Sequence, residues 1–267
     1  MSLSINSILE KSASDYYISY DSPENVKIDR SVETLKNRIL KHFPIDVNSV
    51  IEFGSYKRDT ILPRKFDENS DVDLMVVFNH SEKQVSPATY RNYLIDFCKG
   101  IYPTSQMYRS TPTVVLELEH IKYDLVPTYK QQYSFYSSVK YFIPENDTNW
   151  METDPNSFNN ELTNVNVQHH SNIKKLIRLL KAWNAKVGYP LNSFQLEKEI
   201  VNCFFGNCIT LENYFFHFID SMSEYRFNNT NAQQKIAALK ENKIKVVLAL
   251  SQNDSTSATQ WLKHILP

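Results

Sequence analysis

The sequence predicts an α+β fold, in which a short mixed sheet with flanking helices precedes a C-terminal helical lobe. Two patterns support this prediction. Between residues 50 and 78, two short apolar runs typical of strands enclose a glycine turn and a charged loop. After Ser171, apolar residues recur at helical spacing over most of the remaining chain. At 267 residues, the chain is long enough for one large domain or two smaller ones.

The stretch from Val50 to Phe78 contains the residues best suited to chemistry. Asp71 and Asp73 open its second strand, and strand alternation directs both side chains to the same face. Two carboxylates this close repel each other when both are ionised, so we expect a cation between them. A hard divalent ion such as Mg²⁺ suits carboxylate oxygens.

A glycine ends the first of these two strands. Gly54 is one of only four glycines in the chain, and Ser55 follows it. A glycine before a small hydroxyl residue at a strand end lets backbone N–H groups approach a phosphate closely. The turn therefore predicts a phosphate-binding site close to the aspartates.

A third aspartate lies in a later strand. The apolar run at residues 113–118 is followed by a turn near His120, and the chain returns as the alternating segment 121–126. This hairpin places Asp124 in the interior of a strand. The alternative interpretation is a surface aspartate on an edge strand. Because two other carboxylates are already expected at a site, we favour a functional role for Asp124.

The glycine-serine turn, the Asp-x-Asp pair and the later Asp124 together resemble the signature of nucleotidyltransferases of the DNA polymerase β superfamily. Within that superfamily, the segment from Arg58 to Pro63 and the helix containing Leu179 to Asn184 resemble a bacterial family. These are the relatives of cyclic GMP–AMP synthase and oligoadenylate synthetase, the CD-NTases with a SMODS domain. The resemblance covers roughly residues 30 to 200.

The resemblance implies a fold, an activity and a biological setting. It implies a polymerase β-like nucleotidyltransferase lobe with an N-terminal bridging helix over residues 1–165, and a helical lobe over residues 166–267 that completes the nucleotide cleft. It also implies a metal-dependent enzyme that uses NTPs, ATP among them, and makes a cyclic or linear oligonucleotide second messenger with release of pyrophosphate. Mg²⁺ is the expected cofactor, with Mn²⁺ as an alternative. The expected setting is bacterial antiphage defence, in which a downstream effector responds to the product.

The resemblance also assigns roles to individual residues. The expected catalytic residues and metal ligands are Asp71, Asp73 and Asp124. The expected nucleotide-binding residues are Gly54, Ser55, Arg58, Lys181, Ser193 and Phe194.

Several of these assignments compete with simpler interpretations. Arg58 could contact a triphosphate or belong to a solvated basic loop. Lys181 matches a lysine of the family that contacts the donor triphosphate, although a basic helix stripe is usually a solvated face. Phe194 could stack on a base or fill the core. Related enzymes usually carry glycine at the position of Asp59, so this chain departs from the family in the same loop.

The composition narrows the class of protein further. The chain has 29 basic and 30 acidic residues and a net charge of −1, so we expect no strong non-specific nucleic-acid binding. Three cysteines without a Cys-x-x-Cys pair fit a reducing compartment. No run approaches the roughly 20 apolar residues of a membrane span, and no secretory signal is visible. We therefore expect a cytoplasmic protein without membrane association.

Two other functions remain open from the sequence. A toxin-type nucleotidyltransferase would add nucleotides to tRNA or protein, and the sequence separates it poorly from a second-messenger synthase. A catalytically silent module would bind nucleotide or a partner protein. The three mutually repelling carboxylates argue against the silent module.

Overall fold

The computed structural model describes residues 4–79, 85–132, 139–224 and 229–267. The chain forms two compact units that interleave along the sequence. We call them the sheet unit, which comprises Ile18–Ile61 and Asn69–Asn160, and the helical unit, which comprises Met1–Tyr17, Leu62–Glu68 and Glu161–Pro267. The domain division predicted between residues 165 and 166 stays a prediction.

The strands of the described residues form one mixed sheet. They are β1 (Val47–Phe53), β2 (Asp71–Phe78), β3 (Gln106–Ser110), β4 (Thr113–Glu117), β5 (Lys122–Gln131), β6 (Lys140–Pro144) and β7 (Trp150–Thr153). The order is β1-β2-β5-β4-β3, with β6 paired to β5 and β7 paired to β6. β2 and β5 run parallel, and the other described pairings are antiparallel.

Helices make up most of the remaining described structure. They are α1 (Ile5–Asp15), α2 (Pro23–His42), α3 (Gly54–Lys57), α4 (Pro87–Ile101), α5 (Ser157–Gln168), α6 (Asn172–Lys186), α7 (Ser193–Val201), α8 (Leu211–Ser221), α9 (Thr230–Ser251) and α10 (Ser255–Ile265). The predicted α+β fold, with a mixed sheet, flanking helices and a C-terminal helical part, is confirmed.

The core of the sheet unit lies on one face of β2. Val72 and Leu74 are fully buried there and belong to the same apolar cluster as Val32 and Leu35 of α2 and Leu94 of α4. Strand alternation therefore turns the intervening positions of β2 to the opposite face. Packing of the helices against one face thus fixes which face presents the acidic side chains.

Two serine-proline pairs begin helices in this unit. A serine followed by proline at positions 86 and 87 predicts a helix start. This start is confirmed by α4, where the Ser86 hydroxyl accepts a hydrogen bond from the backbone N–H of Thr89. For the other helix, the helical spacing of apolar residues from Val32 onwards predicts a start at Asp29. This prediction is wrong, because α2 already begins at Pro23. A Ser22 cap precedes it, so the same signal lay six residues earlier in the chain.

Residues 127–170 show no clear periodicity in the sequence, yet they contain the end of β5, the strands β6 and β7, and the whole of α5. Aromatic contacts take the place of an apolar pattern in this region. Tyr129 stacks on Phe142 across β5 and β6 with ring centroids 4.8 Å apart, and Trp150 meets Tyr129 edge-on at 4.9 Å. The sequence from Tyr129 to Tyr141 is rich in tyrosine, and residues 133–138 within it lie outside the described residues.

Helix α6 is the central element of the helical unit, and most of its residues are buried. Its basic stripe is not a solvated face, since Arg178 and Lys181 are only 7% and 6% exposed. The Arg178 Nε donates to the carbonyl oxygen of Ala13 at 3.2 Å, and its guanidinium lies 4.8 Å above the ring of Tyr17. The N-terminal helix α1 is thereby tied to α6. Within the described part of the chain, no helix combines the length and the apolar character that crossing a bilayer requires.

Candidate active site

The parallel pairing of β2 and β5 gathers four charged side chains on one face of the sheet. The register places Asp73 opposite Asp124 and Asp71 opposite Lys122. These four side chains share the face opposite to the one that carries Val72 into the core. The structure therefore brings Asp124 of β5 next to Asp71 and Asp73 of β2, although β5 lies much later in the sequence.

The glycine-serine turn lies directly against one of these acids. A Cβ atom added to Gly54 would lie 1.7 Å from Oδ2 of Asp73 and 2.5 Å from its Cγ. Gly54 also has a φ of 72°, in the left-handed region that residues with a Cβ disfavour. The pairing of Phe53 with Asp73 sets this close approach. The turn and the carboxylate thus form one continuous site.

Ser55 closes the loop that follows the turn. Its carbonyl oxygen accepts hydrogen bonds from the backbone N–H groups of Thr60 at 3.0 Å and Ile61 at 3.1 Å. Within this loop Asp59 has a φ of 60°, in the left-handed region. Aspartate tolerates that region better than most residues, and glycine tolerates it best. Asp59 therefore has a left-handed backbone conformation that the glycine of related enzymes would also adopt.

Arg58 is buried rather than solvated, with 8% of its surface exposed. Its guanidinium carbon lies 5.2 Å from the ring centroid of Phe158, and its Nη1 lies 3.5 Å from Oδ1 of Asn159. The solvated-loop interpretation is therefore wrong. These contacts within the sheet unit support the packing of the loop, and the nucleotide-binding role of Arg58 stays a prediction.

Asp124 occupies a buried and only partly satisfied environment. Its Oδ1 is buried without a hydrogen-bond partner in the structure, and its Oδ2 lies 3.4 Å from the hydroxyl of Thr113. That hydroxyl makes its shorter hydrogen bond, 2.8 Å, to the carbonyl oxygen of Ser110. Burial and, next, the charge of Asp71 raise the pKa of Asp124 to about 6, against the lowering effects of Lys122 and Thr113. The orphaned oxygen is suited to accept a proton or to bind a cation.

Lys122 supplies a positive charge within this acidic group. Its Nζ lies 3.3 Å from Oδ2 of Asp71. Burial lowers the pKa of Lys122, but the charges of Asp71 and Asp124 outweigh burial, and the pKa lies above its usual value. The sequence interpretation missed Lys122, although its position two residues before Asp124 in an alternating strand already placed both on one face.

The chemistry of the three aspartates fits a divalent cation. Asp71, Asp73 and Asp124 offer carboxylate oxygens, which hard cations such as Mg²⁺ prefer, and one of these oxygens is the orphaned Oδ1 of Asp124. Among the residues that the structure describes, no three acidic, histidine or cysteine side chains are already close enough to hold a metal ion. The metal site at Asp71, Asp73 and Asp124 therefore stays a prediction.

The remaining predicted residues belong to the helical unit. Lys181 pairs with Glu197 of α7 at 3.2 Å, and their side chains are only 7% and 1% exposed. Ser193 is the first residue of α7. Phe194 is 45% exposed, and the Nζ of Lys198 lies 4.9 Å from its ring centroid. The core interpretation of Phe194 is therefore wrong, and Glu197 is a buried acid that the sequence interpretation did not single out.

The turn, the mixed sheet and the acids on adjoining strands define a nucleotidyltransferase fold. The structure is similar to that of CdnC from Escherichia coli MS115-1 solved with ATP, with a TM-score of 0.72 and 14% identity over 97% of this chain and 96% of that chain. The chain belongs to the Second Messenger Oligonucleotide or Dinucleotide Synthetase (SMODS) domain family, whose family model matches residues 3–166. The predicted family resemblance is thereby confirmed.

Two curated proteins are similar to this chain in sequence. A probable cyclic nucleotide synthase of Bacillus cereus (strain VD146) is 25% identical to this chain, and the match covers 64% of this chain and 61% of that protein. A CBASS oligonucleotide cyclase, CdnC of Escherichia coli (strain KTE188), is 24% identical over 65% of this chain and 56% of that protein. The chain thus spans less than two thirds of the length of either curated relative.

Proposed function

We propose that this chain is a metal-dependent nucleotidyltransferase that uses NTPs, ATP among them, to make a cyclic or linear oligonucleotide second messenger with release of pyrophosphate. The observation that carries the proposal is the contact of the Gly54 turn with Asp73, itself opposite Asp124 on the neighbouring strand. Family membership supports the reaction class. The relatives named as a cyclic nucleotide synthase and a CBASS oligonucleotide cyclase support the product class and a role in antiphage defence.

Groups of the sheet unit have separate roles in the proposed reaction. Asp124 accepts the proton of the sugar hydroxyl that attacks the α-phosphate of a bound NTP. The new bond joins this hydroxyl oxygen to the α-phosphorus, while the bond from that phosphorus to the oxygen bridging to the β-phosphate breaks. Pyrophosphate leaves with the electron pair of the broken bond. The Gly54–Ser55 backbone binds phosphate oxygens through its N–H groups.

The cation expected at the three aspartates has a supporting role in this proposal. Asp71, Asp73 and Asp124 would hold it, and bound Mg²⁺ or Mn²⁺ would neutralise charge on the phosphates and the leaving group. The proposal also includes the nucleotide-binding roles predicted for Lys181 and Ser193, and for Phe194 through its exposed ring. A cytoplasmic location is part of the proposal, and it is supported by the three unpaired cysteines.

A product assay tests the proposal. The protein is incubated with labelled ATP, GTP, CTP and UTP and with Mg²⁺ or Mn²⁺, and the products are treated with phosphatase and separated. We expect small phosphatase-resistant products, as well as release of pyrophosphate. Asp73→Asn is the matched variant, because it removes one carboxylate charge and keeps the shape; it is expected to abolish product.

Other outcomes of this assay separate the competing functions. Label on added tRNA or on protein, without a small product, would indicate a toxin-type nucleotidyltransferase. Nucleotide binding without turnover under all conditions would indicate a silent module. Full turnover by the Asp73→Asn variant would contradict the assignment of the site.

A further inference from the structure

Lys122 lies within a two-by-two patch that β2 and β5 build from four charged residues. The register pairs Asp71 with Lys122 and Asp73 with Asp124, and all four side chains share one face of the sheet. The patch therefore contains one cation for three acids. Asp71 and Lys122 are the first residues of their strands, so the ion pair stands at the end of the patch.

The ammonium of Lys122 is held in a largely buried position. Its side chain is only 16% exposed, that of Asp71 is 29% exposed, and Nζ lies 3.3 Å from Oδ2 of Asp71. Burial of a lysine ammonium is unfavourable unless acids compensate for its lost hydration. Asp71 supplies the direct ion pair, and Asp124 adds a second favourable charge. Lys122 is therefore held where it is by the acids of the site.

Two further polar residues lie on the side of Lys122 away from β2, one on the adjacent β4 and one on β3 beyond it. Glu117 of β4 is the register partner of Lys122, and its Oε1 accepts a hydrogen bond from the hydroxyl of Tyr108 at 3.2 Å. The ion pair that the structure shows for Lys122 goes to Asp71 and not to Glu117. The lysine is thus directed towards the catalytic acids.

We infer that Lys122 is a positioning residue that holds Asp71 by an ion pair until a divalent cation displaces it, an inference that rests on the proposed function. The Asp71 oxygen that pairs with the ammonium is a carboxylate oxygen that would also coordinate the cation. A doubly charged ion is attracted to three acids more strongly than a single ammonium. Lys122 thus offsets the repulsion between the acids before the cation binds, and it weakens cation binding because the ion pair must first break.

Metal affinity, measured without nucleotide, tests this inference. Mn²⁺ is titrated into metal-stripped protein and followed by electron paramagnetic resonance of the unbound ion. Lys122→Met keeps most of the length of the side chain and removes its charge, so we expect Mn²⁺ to bind at least fivefold more tightly than in the wild type. The matched control is Lys130→Met on the same strand, whose ammonium contacts Asn48 rather than an acid of the patch. That control is expected to stay within twofold of the wild type.

A second variant keeps the test decisive if Lys122→Met does not fold. Lys122→Arg retains the charge and grips a carboxylate with two N–H groups, so we expect Mn²⁺ to bind at least twofold more weakly than in the wild type. A purely structural role for Lys122 would change thermal stability in chelator without shifting Mn²⁺ affinity. Unchanged or weaker Mn²⁺ binding by a folded Lys122→Met variant would overturn the inference. If only Lys122→Arg folds, Mn²⁺ binding by this variant that is unchanged or tighter than in the wild type would overturn the inference.

The same titration separates this inference from the proposed function. Asp73→Asn in the wild-type background is expected to weaken Mn²⁺ binding at least tenfold. If Asp73→Asn binds Mn²⁺ like the wild type, the metal site itself is wrong, and the proposed function fails with it. If Asp73→Asn weakens binding while the Lys122 variants do not shift it, only the role of Lys122 is wrong.

Discussion

Gly54 and Asp73 share a contact that leaves no room for a side chain. In Gly54→Ala, the new methyl group would sit 1.7 Å from the present position of Asp73 Oδ2, and the backbone at φ 72° would be strained. The carboxylate must move, and a displacement of this size at a reacting centre costs about 100-fold in rate. The left-handed backbone adds a loss of about 1–2 kcal/mol of stability. Initial-rate assays and thermal unfolding check both expectations.

Gly100 provides the matched control for this substitution. It lies within α4, and a Cβ atom there would meet nothing within 4 Å. Because alanine favours a helix more than glycine, Gly100→Ala is expected to raise stability by about 0.5–1 kcal/mol and to leave activity unchanged. Equal activity of the two alanine variants would contradict the contact assigned to Gly54.

Because the carboxyl of Asp124 is buried, we expect the free energy of unfolding of the metal-free protein to fall as the pH rises. Its pKa is raised from 3.8 to about 6, chiefly by burial, so the folded state favours the protonated form. The resulting stability is fully present below pH 4 and is lost as the pH rises through 6. A shift of this size corresponds to about 3 kcal/mol at pH 7. In chelator at pH 7, Asp124→Asn is therefore expected to be more stable than the wild type and inactive.

Denaturant unfolding between pH 4 and pH 7 measures this effect. The difference between Asp124→Asn and the wild type should shrink as the pH falls towards 4. Asp96→Asn is the matched control, because Asp96 lies on α4 with its side chain 75% exposed, and its difference from the wild type should be small at every pH. Parallel pH curves for the wild type and Asp124→Asn would show that the carboxyl is not held in the environment described.

Among the secondary structure elements, α6 and α7 are joined by a buried ion pair with a predicted role in nucleotide binding. Lys181 and Glu197 lie 3.2 Å apart at 7% and 1% exposure. Lys181→Met leaves the buried acid without its ammonium, which is expected to cost about 3–5 kcal/mol of stability. Replacing both residues, as Lys181→Met with Glu197→Leu, is expected to recover most of that loss, since apolar residues of similar volume pack in place of a buried pair. Denaturant unfolding of the three variants checks the pattern.

The double variant also separates structure from nucleotide binding. With stability recovered, a KM for NTP raised at least tenfold would support the predicted phosphate contact of Lys181. A KM equal to that of the wild type would show that the lysine only joins the two helices. The second result would remove Lys181 from the nucleotide-binding set without affecting the aspartates.

The elements that the sequence predicted well are those with a strong local signal. A continuous apolar run identified β2, alternation identified the strand of Asp124, and a serine-proline pair identified α4. β6 and β7 were missed because aromatic contacts between strands stabilise them, and such contacts leave no period in the sequence. Strand alternation could predict that Asp71 and Asp73 share a face, and the family resemblance added Asp124 to the expected site. Neither could show the Lys122 ion pair, which depends on the register between β2 and β5.

For the chain as a whole, the interleaving of the two units predicts how fragments behave. The helical unit includes α1, whose Leu9 is fully buried, and the segment Leu62–Glu68, where the ring centroid of Phe66 lies 4.6 Å from that of Tyr16. In the same unit the hydroxyl of Tyr189 donates to Oδ1 of Asp67 at 2.5 Å. A fragment of residues 166–267 lacks these partners, so we expect it to lose cooperative thermal unfolding when followed by circular dichroism.

Adding α1 back provides the control for this expectation. Residues 4–17 joined by a flexible linker to residues 161–267 should regain part of the cooperative transition, because α1 packs against α6 and α8. A fully cooperative transition in the 166–267 fragment alone would show that α1 and residues 62–68 are dispensable. Sequence pattern could not predict this interleaving, because α1 carries a helical period but no signal for the elements on which it packs.

The parallel register of β2 and β5 also has a consequence for the order of folding. Residues 54–70 connect β1 to β2, whereas residues 79–121 separate β2 from β5. A longer loop must therefore close before Asp124 can reach Asp73. An early intermediate with only the first hairpin therefore holds two of the acids and cannot assemble the complete set. Uptake of a divalent ion during refolding would then report the moment at which the last central strand docks.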